Sequence, residues 1–235
     1  MSNGKSVFIS GGATGIGAAT AAKFLSAGWR VAIGYHNQKP EARSGALAVP
    51  LDLRDDESIR QAAAEVLKEF GSIDVLINNA GILRSGFLHE RSFTDIHEEI
   101  AVNLEGMIKL TKELLPKVNE VIINIGSGLG FVGKKRLTVY AATKWAVRGF
   151  TKSLAKETPN LRVYAVHPAL TATAMGSAKG MAPSWVAGVI FDLATGRLRR
   201  DSGAEISMRD YRFGRLLAPA MRAYHALKKL VRLAE

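Results

Sequence analysis

The sequence predicts an α/β fold, a single doubly wound parallel sheet of about seven strands with helices on both faces. Two observations carry that expectation. Short apolar runs bounded by turn residues recur along the chain, and stretches of helical periodicity separate them. The runs are continuous rather than alternating, as strands covered on both faces require.

In order, strands are expected at 7–9, 31–33, 47–49, 75–77, 121–123 and 163–166, with helices at 18–27, 56–70, 93–116 and 139–157. A helix-like stretch at 183–194 precedes a β-prone run at 204–208, which supplies a seventh strand. Residues 1–210 read as one domain. In the tail, 211–235, Leu217, Ala220, Met221, Tyr224, Leu227, Val231 and Ala234 fall at helical spacing, with Arg222, Lys228, Lys229 and Arg232 largely elsewhere on the wheel. That is a basic amphipathic helix.

Composition narrows the function. The chain has 235 residues, 47% of them hydrophobic, enough to bury a core without disulfide or metal support. The absence of cysteine excludes thiolate chemistry, iron–sulfur clusters and cysteine zinc sites. The five histidines lack ligand spacing, so no metal site is expected. Acidic pairs such as Asp55-Asp56 and Glu98-Glu99 read as helix-start or surface residues. No uninterrupted apolar run is long enough to span a bilayer, and the first residues lack the pattern of a signal peptide, so the expected address is the cytoplasm.

A net charge of +11 favours anionic partners, and more than half of the excess falls after residue 196. Nucleic acid is not expected, since no recognition motif accompanies the charge. The basic tail suits subunit packing, a flap over the site, an anionic membrane surface or an acidic carrier. Lys134, Lys135 and Arg136 form a second basic run, read as a solvated loop or an attractor of anionic substrate.

The first strand runs into Ser10-Gly11-Gly12-Ala13-Thr14-Gly15-Ile16-Gly17, where a helix begins. Glycines between a first strand and a first helix permit a tight turn and let backbone approach a pyrophosphate facing free N–H groups. About twenty residues on, where an NAD-binding unit offers an acid to the ribose 2′-hydroxyl, the chain reads Gly34-Tyr35-His36-Asn37-Gln38-Lys39. A missing carboxylate there favours NADP(H) over NAD(H), with His36 and Asn37 among the residues available to a 2′-phosphate; an ordinary polar loop is the other reading.

Tyr140 and Lys144 stand four apart in a helical stretch, on one helix face. A free phenol ionises near pH 10, and a neighbouring ammonium favours the phenolate, making Tyr140 a usable proton donor and acceptor. Ser127 follows the fifth strand, where a loop at the carboxyl end of a parallel strand faces the ligand crevice. Its hydroxyl suits a substrate carbonyl oxygen.

Together these residues resemble the short-chain dehydrogenase/reductase family over residues 5–208. The glycine turn matches through Gly11, Ala13, Thr14, Gly15, Ile16 and Gly17, with Ser10 where Thr is commoner. Asp52 and Leu53 resemble the family's adenine contact, and Asn78-Asn79-Ala80-Gly81 its Asn-Asn-Ala-Gly signature. Asn103, Ser127, Tyr140 and Lys144 match its catalytic tetrad. The segment from Pro168 to Met175 resembles the stretch that wraps the nicotinamide, with Ala169 replacing a glycine and Thr173 as the carboxamide contact.

The resemblance implies a Rossmann-like fold and an NADPH-dependent carbonyl reductase or alcohol dehydrogenase. Tyr140 would be its general acid/base, Ser127 would polarise the carbonyl, Lys144 would hold the ribose and lower the Tyr140 pKa, and Asn103 would support a water chain. It also implies a homodimer or homotetramer. Substrates are small carbonyl or alcohol compounds or, alternatively, β-ketoacyl groups on a carrier protein. A noncatalytic NADP-binding protein, or a membrane-associated interaction protein acting through the tail, stands as the alternative class. The family's mobile lid is truncated to 176–181, so an open substrate end is expected, with Met175, Met181 and Trp185 as apolar walls.

Overall fold

The computed structural model describes residues 4–40, 45–176 and 179–208. Seven strands form one sheet: β1 (Ser6–Ser10), β2 (Arg30–Tyr35), β3 (Leu47–Pro50), β4 (Ile73–Asn78), β5 (Val118–Ile125), β6 (Arg162–His167) and β7 (Glu205–Ser207). Every pairing is parallel and the order is β3-β2-β1-β4-β5-β6-β7. The expected sheet is present. Chain order reverses between β1 and β4, which opens a crevice at the carboxyl ends of the strands.

Consecutive side chains along each strand serve opposite faces, and both faces are apolar. Val7, Ile9, Val75, Ile77 and Val121 pack with Phe24 of α1 (Gly15–Ser26) and with Val186, Ile190 and Leu193 of α6 (Pro183–Ala194). On the other face Phe8, Leu76, Ile122 and Val163 meet Ile59 and Val66 of α2 (Asp56–Phe70), Leu110 and Leu114 of α4 (Gly106–Leu114) and Leu154 of α5 (Thr138–Glu157). Strands this apolar cannot leave either face in water, which fixes helices on both sides.

The stretch 93–116, expected as one helix, is divided. It comprises α3 (Phe93–Ile100), a π turn at Ala101–Glu105, α4 and a short 3₁₀ turn at Leu115–Lys117. Such a turn inserts one residue without breaking the helical run of the backbone, so no proline or glycine within it marks it in the sequence. Asp55 caps α2, accepting from the backbone N–H groups of Glu57 and Ser58, as its helix-start reading requires. Glu99, read as a surface residue, is instead fully buried: Arg91 donates to it at 3.1 Å and the Arg84 N–H at 3.0 Å. Those two donors replace the water that a carboxylate otherwise needs. The tail 211–235, and with it the expected amphipathic helix, lies outside the described residues.

A polar chain crosses the apolar layer beneath β4 and β5. Asn78 Nδ2 donates to Thr111 Oγ1 at 2.9 Å and to Asn124 Oδ1 at 2.8 Å, and Asn124 Nδ2 donates to Thr151 Oγ1 at 3.0 Å. The threonine hydroxyls in turn donate to the carbonyls of Met107 and Val147. Sheet and helices are thereby locked in one register under the site. Replacing Thr151 with Val keeps the shape but strands the Asn124 amide, so urea unfolding is expected to show a loss of about 1–3 kcal/mol.

Candidate active site

The glycine turn is built for close backbone approach. Gly11 has φ +65°, and a Cβ there would lie 2.8 Å from the Ala80 Cα. A Cβ on Gly17 would collide with the Gly11 carbonyl oxygen and the Asn79 amide. Only glycine fits both positions. The turn is tied to the end of β4: Asn79 Nδ2 donates to the carbonyls of Ser10 and Gly11 at 3.1 and 2.9 Å, while Ser10 Oγ accepts from the N–H groups of Asn79 and Ala80. Thr14 precedes α1 in extended conformation without capping it by its side chain, so the N–H groups of Gly15, Ile16 and Gly17 face the crevice uncapped. This cradle and helix end fit a pyrophosphate group. Ala13 lies within the same turn.

At the outer end of the crevice His36 and Asn37 follow β2 and are exposed. Asp52 follows β3, and its carboxylate is engaged by Arg54, at 2.9 Å from Nε and 2.7 Å from Nη2. The hydrogen bonds from Arg54 hold Asp52 below the usual carboxylate range against the opposing pull of burial. Arg54 Nη2 also lies 3.1 Å from His36 Nε2. Sequence reasoning passed over Arg54, and its position two residues after Asp52, in the loop that follows β3, was the available signal. Leu53 is buried, and its side chain packs in the core against Gly106.

At the inner end the four tetrad residues converge. Asn103 sits in the π turn and is almost fully buried; its side chain accepts from the Ile82 N–H at 2.7 Å and donates to the Ile82 carbonyl at 2.8 Å. It therefore fixes the segment that carries Asn79, Ala80 and Gly81. A Cβ on Gly81 would lie 3.1 Å from Asn103 Oδ1 and 3.6 Å from Lys144 Nζ, which places β4's loop directly against the lysine. Lys144 Nζ donates to the Ile125 carbonyl at 3.0 Å and lies 5.6 Å from the centre of the Tyr140 ring. Ser127 is hydrogen-bonded to Tyr140 and accepts from the Leu129 N–H at 3.1 Å.

The electrostatics differ from expectation. Tyr140 is raised above the ordinary phenol value, because burial outweighs the hydrogen bond to Ser127 and the Glu99 carboxylate adds to the rise. Lys144 does not lower it here: its Nζ turns to the Ile125 carbonyl, and burial brings the ammonium itself down to about 8.

Beyond β6, Thr171 bridges Met181, with the Ala172 N–H donating to the Met181 carbonyl at 2.8 Å and the Met181 N–H to the Leu170 carbonyl at 2.7 Å. The short segment closes on itself. A Cβ on Gly15 would lie 3.1 Å from Thr173 Cγ2, so Thr173 reaches the glycine turn. Met181 and Trp185 pack on the core and line a cavity with Gly180 and Ala182, whereas Met175 is exposed.

Taken together, a backbone cradle for a dinucleotide leads to a buried phenol, hydroxyl and ammonium that can move a proton beside a transferred hydride. That is the crevice of a nicotinamide-nucleotide-dependent oxidoreductase. A family model described as short chain dehydrogenase matches residues 5–183. A 3-oxoacyl-[acyl-carrier-protein] reductase of Aquifex aeolicus is 37% identical over 188 residues, 73% of this chain and 76% of the relative. A 3-alpha-(or 20-beta)-hydroxysteroid dehydrogenase of Mycobacterium bovis is 34% identical over 206 residues, 83% of this chain and 76% of the relative. The structure of a 3-ketoacyl-(acyl-carrier-protein) reductase from Brucella melitensis, complexed with NADH, superposes with a TM-score of 0.82 at 25% identity, covering 87% of this chain and 96% of that one. The chain belongs to the short-chain dehydrogenase family.

The Lys144 shift has a testable consequence. In ¹³C NMR of lysine-labelled protein without ligand, one resonance is expected to titrate near pH 8 and to be missing from Lys144→Met. Between about 8 and the ordinary 10.5 only the unfolded chain holds that proton, so stability relative to Lys144→Met rises with pH across this window.

Proposed function

We propose that the protein is an NADPH-dependent reductase of carbonyl compounds, able to run in reverse as an alcohol dehydrogenase. The observation that carries this reading is the convergence of Ser127, Tyr140 and Lys144 beside the glycine cradle and the Asn79-Ala80-Gly81 segment. A bound nicotinamide nucleotide supplies or accepts the hydride. Ser127 holds the substrate oxygen, and Tyr140, protonated at neutral pH, donates to it as charge develops. Lys144 has donors left over from its bond to Ile125 and offers them to the cofactor ribose. Asn103 fixes the backbone against which that ribose would lie. The Asn103 water chain and the Thr173 carboxamide contact complete the proposed site.

The preference for NADP(H) rests on the end of β2. No acid stands between His36 and Lys39, and the Asp52 carboxylate nearby is neutralised by Arg54. Arg54 presents its guanidinium donors at this end of the crevice, and His36 Nε2 accepts from one of them, which holds the guanidinium beside β2 for a 2′-phosphate. Adenine is assigned to the Asp52 and Leu53 segment.

A second reading, reduction of β-ketoacyl groups on a carrier, is favoured by the loop that joins Ser127 to Tyr140. Lys134, Lys135 and Arg136 have no carboxylate partner among the described residues; Lys135 and Arg136 each lie 5.1 Å from the centre of the Phe87 ring. A basic rim suits an anionic carrier, and the Aquifex and Brucella relatives are named as reductases of acyl groups on a carrier protein. Exposed Phe93, Ile100, Ile108 and Trp145, on α3, α4 and α5, support a homo-oligomer packed through these helices. Among the described residues no helix is long and apolar enough to cross a membrane.

Following NADPH absorbance over a panel of ketones, hydroxysteroid-type ketones and β-ketoacyl thioesters tests the class; no turnover of any member overturns it. Tyr140→Phe is expected to cut kcat by about 10²–10⁴ while NADPH fluorescence titration shows unchanged binding. Arg54→Ser, which removes a cation and frees Asp52, is expected to lower the ratio of kcat/KM for NADPH over NADH by about tenfold or more.

A further inference from the structure

His167 takes no part in the chemistry described above, yet it is fully buried against the serine turn. It ends β6, and its Nδ1 lies 3.3 Å from the Ser127 amide nitrogen and 3.2 Å from the Ser127 carbonyl oxygen. One nitrogen cannot serve both. Accepting from the amide needs a lone pair on Nδ1, and donating to the carbonyl needs a proton there.

The surroundings decide between them. The Ser127 carbonyl already accepts from the Gly130 N–H at 2.9 Å. The Ser127 N–H has the imidazole as its acceptor. At the far side of the ring Nε2 is buried without a hydrogen-bond partner among the described residues and faces Glu205 Oε1 at 3.6 Å. A carboxylate there draws the ring proton to Nε2 and leaves Nδ1 bare. Glu205 stays ionised, down at about 2, because Arg148 and Lys152 more than offset its burial. Burial keeps His167 neutral, down at about 4, so the choice is one of tautomer.

Glu205 also reaches the other end of the same turn. It binds Arg148 Nε and accepts from Lys152 Nζ at 2.7 Å. Arg148 Nη1 donates to the Gly130 carbonyl at 2.7 Å, and its guanidinium lies 4.1 Å from the centre of Phe131, whose ring meets His167 edge-on at 4.6 Å. A Cβ on Gly126 would collide with the imidazole, so the ring and the backbone before Ser127 are in direct contact.

We propose that His167 and Glu205 are a positioning pair for Ser127: the carboxylate fixes the Nε2–H tautomer, and Nδ1 accepts the Ser127 amide and holds its hydroxyl at the substrate oxygen. The role rests on the reductase reading, while the tautomer does not. Arg148 belongs to the same clamp, since it is both the counter-ion of Glu205 and the donor to Gly130.

The tautomer is read on the full chain by ¹⁵N NMR of labelled histidine at pH 7. One neutral, Nε2-protonated ring is expected, recognised by its failure to titrate between pH 8 and 5 and by its loss in His167→Gln. An Nδ1-protonated ring or an imidazolium overturns the proposal. Kinetics on the best panel substrate then separate positioning from packing. His167→Leu is expected to lower kcat about tenfold to a hundredfold with the KM for NADPH within twofold of wild type, and His167→Gln, which restores an acceptor, to recover most of the loss. If the leucine variant melts at a lower temperature but keeps its kcat, or the glutamine variant fails to recover while folded, positioning is refuted. Should either variant not fold, Glu205→Gln takes its place: the spectrum is expected to show mixed tautomers with kcat reduced, and an unchanged spectrum and kcat refute the pair. A wild-type protein inert toward every carbonyl refutes the reductase reading and with it the positioning role, leaving the spectrum to decide the tautomer.

Discussion

Lys144 is 4% exposed, and among the described residues its ammonium has one hydrogen-bond acceptor, the Ile125 carbonyl at 3.0 Å. An ammonium carries three donors, and a buried cation without full pairing is costly enough that folding alone would not select it. The fall of its pKa to about 8 measures that cost. The arrangement makes physical sense when the remaining donors are meant for a ligand. Gly81, with no side chain, lets its backbone come close to Nζ, where a Cβ would lie 3.6 Å from the ammonium. Around this ammonium the fold assembles its other parts: β5 supplies the carbonyl, the loop after β4 the glycine, and α5 the lysine one turn after Tyr140.

Much of this was legible in the sequence, for identifiable reasons. Buried parallel strands such as 75–77 and 121–123 announce themselves because both faces must be apolar, and Ser10 to Gly17 can be read because only glycine tolerates the Gly11 and Gly17 contacts. Tyr140 and Lys144 were paired by helix geometry. What escaped were features set by tertiary neighbours. The π turn that carries Asn103 holds no proline or glycine to mark it. Glu99 reads as half of a surface pair until Arg91, eight residues earlier, folds back onto it. His167 and Glu205 carry no motif, because they meet from different strands and close on a turn far back along the chain, and Arg54 is distinguished only by where the β3 loop sets it beside His36 of β2.

The expectation that the lysine lowers the phenol failed for the same kind of reason. Spacing of four places two side chains on one face but says nothing of the medium between them or of what else each touches. Here the medium is the protein interior, where desolvation of the phenolate dominates, and the ammonium is turned toward a main-chain oxygen.

That balance also bears on direction. Tyr140 stands between a buried cation weakened by burial and a buried anion, Glu99, whose charge Arg91 offsets at 3.1 Å. Both burial and Glu99 keep the phenol protonated, while the hydrogen bond to Ser127 pulls the other way. A protonated phenol held beside a serine hydroxyl is the acid that a carbonyl oxygen needs as it gains negative charge. Running in reverse would first require the phenol to lose its proton, which this environment opposes until ligand binding changes the charges around it.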